Sequence, residues 1–194
     1  KVEKEKISTE EKENIMNRII TDVELKGIED CDLIIKAVPE DIELKKEIFE
    51  EVSKTVSGET IIASNTSSLP ITDLANSVEN PNRFIGMHFI NPAPVINLVE
   101  IIKGLQTSKK TLETIRKLTE EIGKTPVLIE DSPGFALNRL LIPMINEAFY
   151  MLQEGIAKAE EIDQVMRSGA NHRMGHLELR ELVGLDTVLH IMET

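Results

Sequence analysis

Cysteine is nearly absent from this 194-residue chain, tryptophan is wholly absent, and positive charge is in short supply. The single cysteine, Cys31, excludes an internal disulfide framework and fits a reducing compartment, so a cytoplasmic protein is expected. Asp30 and Asp32 flank it and no basic neighbour activates it, so the thiol reads as inert. With 22 Lys and Arg against 34 Asp and Glu, the formal net charge is −12. That excludes the broad basic face needed to neutralise phosphates, and no nucleic-acid partner is expected. An anionic small ligand remains open, through a local group of lysines or helix N-termini. No apolar run approaches a membrane span and "KVEKEKISTEEKE" is no secretory signal, so no membrane partner is expected. The first residue is not Met and the last, "VLHIMET", fall in a helical pattern. We therefore expect a piece of a longer protein.

What is present is enough to bury a core. Hydrophobic residues make up 41% of the chain, and no repeat or Gly/Ser linker divides it. "STEEKENIMNRII" (8–20) predicts a helix that opens with a capping box. "DLIIKAV" (32–38) and "TIIAS" (60–64) read as strands buried on both faces. "IELKKEIFEEVSKTV" (42–56) between them has helical spacing, and "PITDLANSV" (70–78) is a short helix opened by proline. "RFIGMHFI" (83–90) and "VINLVEII" (95–102) predict two strands joined through "NPAP", and "TPVLI" (125–129) a last one. Between these, "KKTLETIRKLTEEIG" (109–123) predicts a helix closed by Gly123. Strands alternating with helices over short connections imply an α/β class with a parallel, doubly wound sheet. After "EDSPGF" the strand pattern stops, so two domains are expected, 1–130 and an all-helical 131–194.

Glu100 shares strand parity with Leu98 and Ile102, so it points to the same face as two aliphatic residues. His88 sits mid-strand in the preceding run. Adjacent strands could bring the two together, and an imidazole held by a carboxylate is oriented and fixed in one tautomer, as a general base requires. The plain alternative is a core histidine donating to a carbonyl, with Glu100 in water. Spacing alone favours the plain alternative, because a His–Glu pair inferred from sequence is a weak signal. The loop "SNTSS" (64–68) follows a strand, where open α/β sheets bind ligands. Ser67 and Ser68 could present hydroxyls there, or cap the next helix, the reading preferred for Ser68. Asn91, Asn138 and Glu40 each admit an ordinary reading too: a turn before Pro92, a solvated helix face, and a turn. His172 and His176 have the spacing of two metal ligands on a helix, but Gly169 and Gly175 bracket them and no third ligand is evident, so no metal is expected.

Taken together, "AVPEDIELKKEIF", "IIASNTSSLPIT", "IGMHFINPAPVINLVEII", "DSPGFALNRLLIPMINEA" and "GANHRMGHLELRELVGLD" resemble the 3-hydroxyacyl-CoA dehydrogenases, in order and spacing, over nearly the whole chain. The resemblance is closest to the bacterial 3-hydroxybutyryl-CoA branch of that family. It implies an incomplete Rossmann-like sheet followed by a helical domain, with NAD as cofactor. The implied reaction is reversible oxidation of the 3-hydroxyl of a short L-3-hydroxyacyl-CoA. It further implies that His88 is the general base and Glu100 its orienting carboxylate. Ser67 and Asn138 would hold substrate; Glu40, Lys45, Ser67 and Asn91 would lie beside the cofactor; and the helical domain would form a homodimer. Similar sequences also include L-gulonate dehydrogenases, which act on another hydroxy acid, and non-catalytic lens crystallins. The family's G-x-G-x-x-G loop does not occur in these 194 residues, and Arg173 and His176 stand where bacterial relatives usually carry proline.

Overall fold

The computed structural model describes residues 7–193. Its central sheet has five strands in sequence order: β1 (Leu33–Lys36), β2 (Ile61–Ser64), β3 (Phe84–Phe89), β4 (Leu98–Lys103) and β5 (Thr125–Glu130). Three pairings are parallel, and β3 pairs with β4 antiparallel. The sheet is mainly parallel as expected, and the one antiparallel pairing has a physical reason. Residues 90–97 join the two strands without a helix, and so short a link cannot make the crossover that parallel strands need. The outcome decides the site, because the antiparallel register sets His88 directly opposite Glu100.

Alternation along the strands sorts side chains onto two faces. Ile62, Phe84 and Ile102 pack on one face against Phe49 and Val52 of α2 (Ile42–Thr55) and Leu74 of α3 (Ile71–Ala75). Ile61, Ala63, Ile85, Met87, Val99 and Ile101 pack on the other against Ile115 of α4 (Lys109–Glu121). His88 and Glu100 share parity with Phe84 and Ile102, so they belong to the α2–α3 face. On that face a Cβ at Gly86 would sit 2.8 Å from Ile102 and 2.9 Å from Ile71, so only glycine lets α3 lie this close to β3. β1 corrects an expectation. It is the edge of the sheet among the described residues, and Ile35 is 43% exposed rather than buried.

The N-terminal helix α1 (Thr9–Met16) opens with the expected capping box between Ser8 and Glu11, although it ends four residues earlier than the sequence pattern. The strands end at Glu130, and helices follow: α5 (Leu137–Gln153), α6 (Ala159–Ser168), α7 (His176–Val183) and α8 (Leu185–Glu193). Ile142 and Ile145 of α5 pack on Val188 of α8, while Ala148 packs with Ile162 and Leu177.

Three helix N-termini are capped by carboxylates distant in sequence. Asp131 accepts from the N–H groups of Ile71 and Thr72 at α3, and Asp163 from those of Leu177 and Glu178 at α7. Glu100 does the same for α5. Asp131 thus takes the role expected of Ser68, whose buried hydroxyl has no partner among the described residues. Gly175 lets Asp163 reach α7, since any Cβ there would run into the Asp163 side chain. We therefore expect Gly175→Ala to destabilise by about 1–3 kcal/mol, as overpacking does. Thermal melting of the whole protein checks this, and an unchanged midpoint would show that the α6–α7 contact is slack.

Candidate active site

Glu100 is 2% exposed and His88 6%, in a layer of aliphatic and aromatic side chains. A buried charge is tolerable only when it is fully bonded. Glu100 meets that condition. Oε2 lies 2.8 Å from His88 Nδ1, and Oε1 accepts from the backbone N–H groups of Ala136 at 3.1 Å and Leu137 at 2.9 Å. These two N–H groups open α5, whose 17 aligned peptides favour negative charge there. Burial pushes the Glu100 carboxyl up, but the hydrogen bonds from His88 and from Leu137 and Ala136 outweigh it, and its pKa lies below the ordinary 4.5. An ionised carboxylate only accepts, so His88 Nδ1 must donate, and Nε2 is the nitrogen left to accept a proton. That is the preparation a general base requires.

The same shift sets a pH dependence. A carboxyl whose folded pKa is depressed contributes stability that is present above the unfolded value and is lost as pH falls through the folded one. We expect the melting temperature of the whole protein to drop below about pH 4.5, more shallowly in Glu100→Gln, which has no charge to lose. Parallel melting curves for parent and variant across that range would contradict the assignment.

The loop after β2 is built around Ser67. Its N–H donates to Glu40 Oε1 at 2.7 Å, and its carbonyl accepts from Asn138 Nδ2 of α5 at 2.8 Å. Thr66 Oγ1 also donates to Glu40 and in turn accepts from the N–H of Leu69 at 3.0 Å. Lys45, fully buried on α2, holds the other Glu40 oxygen at 2.8 Å and the Val38 carbonyl at 3.1 Å. Burial again raises the Glu40 carboxyl, and the hydrogen bonds from Lys45, Thr66 and Ser67 bring it below its ordinary value. Lys36 lies beside them over the Phe49 ring, and burial with the Lys45 charge nearby pushes its amine down to about 8.

A cleft of about 400 Å³ opens at the carboxyl ends of β1 and β2, where open α/β sheets take ligands. Val38, Glu40, Asn65, Ser67 and Ser68 line one side, and Asp186, Thr187 and His190 of α8 the other. The structure therefore brings Glu40, Ser67 and Asn138 into one bonded group, with Lys45 behind it. His88 and Glu100 form a second group, joined to Asn138 through the start of α5. Asn91 lies exposed just past β3, outside both.

Residues 1–132 match the family described as 3-hydroxyacyl-CoA dehydrogenase, NAD binding domain, and residues 134–194 match 3-hydroxyacyl-CoA dehydrogenase, C-terminal domain. The chain belongs to the 3-hydroxyacyl-CoA dehydrogenase family. It is 49% identical over 191 residues to a probable 3-hydroxybutyryl-CoA dehydrogenase of Bacillus subtilis, covering 98% of this chain and 67% of that protein. It is 48% identical over 181 residues to the 3-hydroxybutyryl-CoA dehydrogenase of Clostridioides difficile, covering 93% and 64%. The solved (S)-3-hydroxybutyryl-CoA dehydrogenase of Ralstonia eutropha superposes with a TM-score of 0.96 at 45% identity, over 99% of this chain and 68% of that one. The chain thus spans about two thirds of the length of these dehydrogenases.

For this dehydrogenase-family chain, several supporting residues had no clear sequence signal. Asn65 accepts from the Phe89 N–H at 2.9 Å and ties the Ser67 loop to the end of the His88 strand. Thr66 and Asp131 act through partners 26 and 60 residues away. Phe135, buried beside the His88 ring, has an unusual φ of 50°. His172 and His176 do not share a helix. His176 begins α7 and its Nε2 lies 3.3 Å from His172 Nδ1 in the preceding loop. No group of three or more His, Cys, Asp or Glu able to hold a metal occurs among the described residues.

Proposed function

We propose that the whole protein is an NAD-dependent dehydrogenase that converts the 3-hydroxyl of an L-3-hydroxyacyl-CoA, of the short 3-hydroxybutyryl class, to a ketone, and the reverse. The observation that carries this is the His88–Glu100 pair, a buried imidazole whose tautomer is set by an ionised carboxylate. The family membership and the names of the relatives support the substrate class. The residues present fit the cofactor. The cleft lies at the carboxyl ends of parallel strands, and Ser68 at its wall keeps a buried hydroxyl without a partner among the described residues. Glu40 and Ser67, which line the cleft, would hold the cofactor, with Lys45 fixing Glu40 from behind; Asn91, which the resemblance also puts beside the cofactor, lies past β3 outside this lining. NAD, when bound, supplies the hydride acceptor.

His88 Nε2 accepts the proton of the 3-hydroxyl as the C3 hydrogen leaves with its electron pair, and the resulting imidazolium is held by Glu100. Asn138 and Ser67 position the reacting group. In the reverse direction the imidazolium returns the proton to the alkoxide oxygen.

We also read exposed apolar residues of the helical part, among them Leu140, Leu152 and Leu182, as contributing to a homodimer contact. No helix among the described residues is long and apolar enough to cross a membrane, and the lone cysteine favours the cytoplasm. The test is reduction of NAD by the whole protein with the L and D forms of 3-hydroxybutyryl-CoA. Turnover of the L form to the 3-oxo product supports the reading. Absence of turnover, or preference for the D form, would overturn it.

A further inference from the structure

We propose that Phe135 is a positioning residue for His88, acting through its ring on the imidazole; the inference deepens the dehydrogenase reading and rests on it. The first observation is backbone geometry. Phe135 has φ 50° and follows Gly134 at φ 69°, so two successive residues are left-handed in the turn before α5. Glycine adopts that conformation freely, and asparagine tolerates it, but a bulky side chain there is an outlier that persists only when its surroundings hold it. If the chain needed only the turn, glycine or asparagine would supply it with less strain. This chain has an aromatic residue there instead, which gives the ring a role beyond the turn.

The second observation is where the ring goes. Phe135 is 1% exposed, packed in the cluster that includes Ile71, Phe84 and Ile102, and its centroid lies 5.7 Å from that of His88 at an interplanar angle of 58°. That separation lies within the range of about 4.5–7 Å at which aromatic rings interact. The third observation is the bonding of the next two residues. The N–H groups of Ala136 and Leu137 are those that hold Glu100 Oε1. One turn therefore fixes the carboxylate from one side and closes the imidazole from another. The ring supports the His88 plane and keeps water from the Nδ1–H···Oε2 bond. Glu100 sets the tautomer, and Phe135 adds to the orientation that the Glu100 bond gives.

The test uses the whole protein with Phe135→Leu, which keeps apolar bulk and removes the aromatic face, and Phe135→Met as the second variant should the first not fold. Two quantities are read: the kinetic constants with NAD and L-3-hydroxybutyryl-CoA, and the solvent exchange of the His88 Nδ1–H by NMR. We expect kcat to fall about tenfold, the scale of a modest misplacement of a reacting group, with KM for both substrates unchanged. The Nδ1–H should exchange faster in the variant, which a merely structural role elsewhere in the core would not cause. A folded variant with parent kcat overturns the proposal, as does a loss of kcat with unchanged exchange. If the parent turns over no substrate, the dehydrogenase reading fails, and the exchange measurement alone decides whether Phe135 shields the pair.

Discussion

His88→Ala in the whole protein lowers kcat by about 10²–10⁴-fold, the usual contribution of a general base, and leaves NAD binding nearly unchanged. The reason is that the imidazole is the group prepared to move a proton, whereas the proposed cofactor contacts, Glu40 and Ser67, belong to a separate bonded group. Removing His88 also strips one bond from a carboxylate that is 2% exposed. Losing a hydrogen bond to a buried charged group costs about 1.5–3 kcal/mol, so this variant will also melt earlier. His88→Asn separates the two effects. Its amide offers a donor near the Nδ1 position but no base, so kcat stays low while much of the stability returns. Steady-state kinetics with calorimetric NAD titration checks both variants, and near-parent kcat in either removes His88 from the mechanism.

Glu100→Gln has an expected effect of similar size, and its cause is different. The glutamine oxygen can still accept from Ala136 and Leu137, so α5 keeps its start. The other end of the side chain becomes a donor aimed at His88 Nδ1. The imidazole proton then moves to Nε2, and the nitrogen that should accept the substrate proton already carries one. A carboxylate-to-amide change that imposes the wrong tautomer costs about 10⁴-fold in the serine-protease triad, and a loss of about 10³–10⁴-fold in kcat is expected here. Loss of charge from the hydrogen bonds costs about 1.5–3 kcal/mol of stability in addition. The tautomer is read directly from the imidazole nitrogen shifts of His88. A variant that keeps the proton on Nδ1 and still loses activity would show that Glu100 acts in some other way.

How much of the fold and site is legible in the sequence depends on the range of each interaction. Strand parity puts Glu100 among aliphatic residues, and the short "NPAP" link with no helix in it carries the antiparallel pairing that places it opposite His88. Pattern alone hides that pairing, because alternating strands and helices elsewhere argue for a parallel sheet. Local caps are readable: the Ser8–Glu11 box and Gly123 after α4 stand where the pattern puts them. Remote caps are not. Asp131 and Asp163 serve helices far away in sequence, and only the fold brings them there, so Asp131 fills a role that local reading gives to Ser68. Burial of "DLIIKAV" on both faces is an inference from composition, and composition cannot tell an edge strand from a central one. Phe135 has the sequence signature of ordinary core. Its backbone angle, which no side-chain pattern encodes, is what distinguishes it.

In the proposed mechanism one imidazole, tied to Glu100, takes the proton in oxidation and returns it in reduction. The most direct test is the pH dependence of kcat for the whole protein in both directions, with L-3-hydroxybutyryl-CoA and NAD and then with the 3-oxo product and NADH. Oxidation requires His88 neutral and reduction requires it protonated. Opposed profiles governed by one ionisation are expected, oxidation failing toward acid and reduction toward alkali, with both limbs lost in His88→Ala. Profiles that run the same way in the two directions, or limbs that survive in the variant, would contradict it.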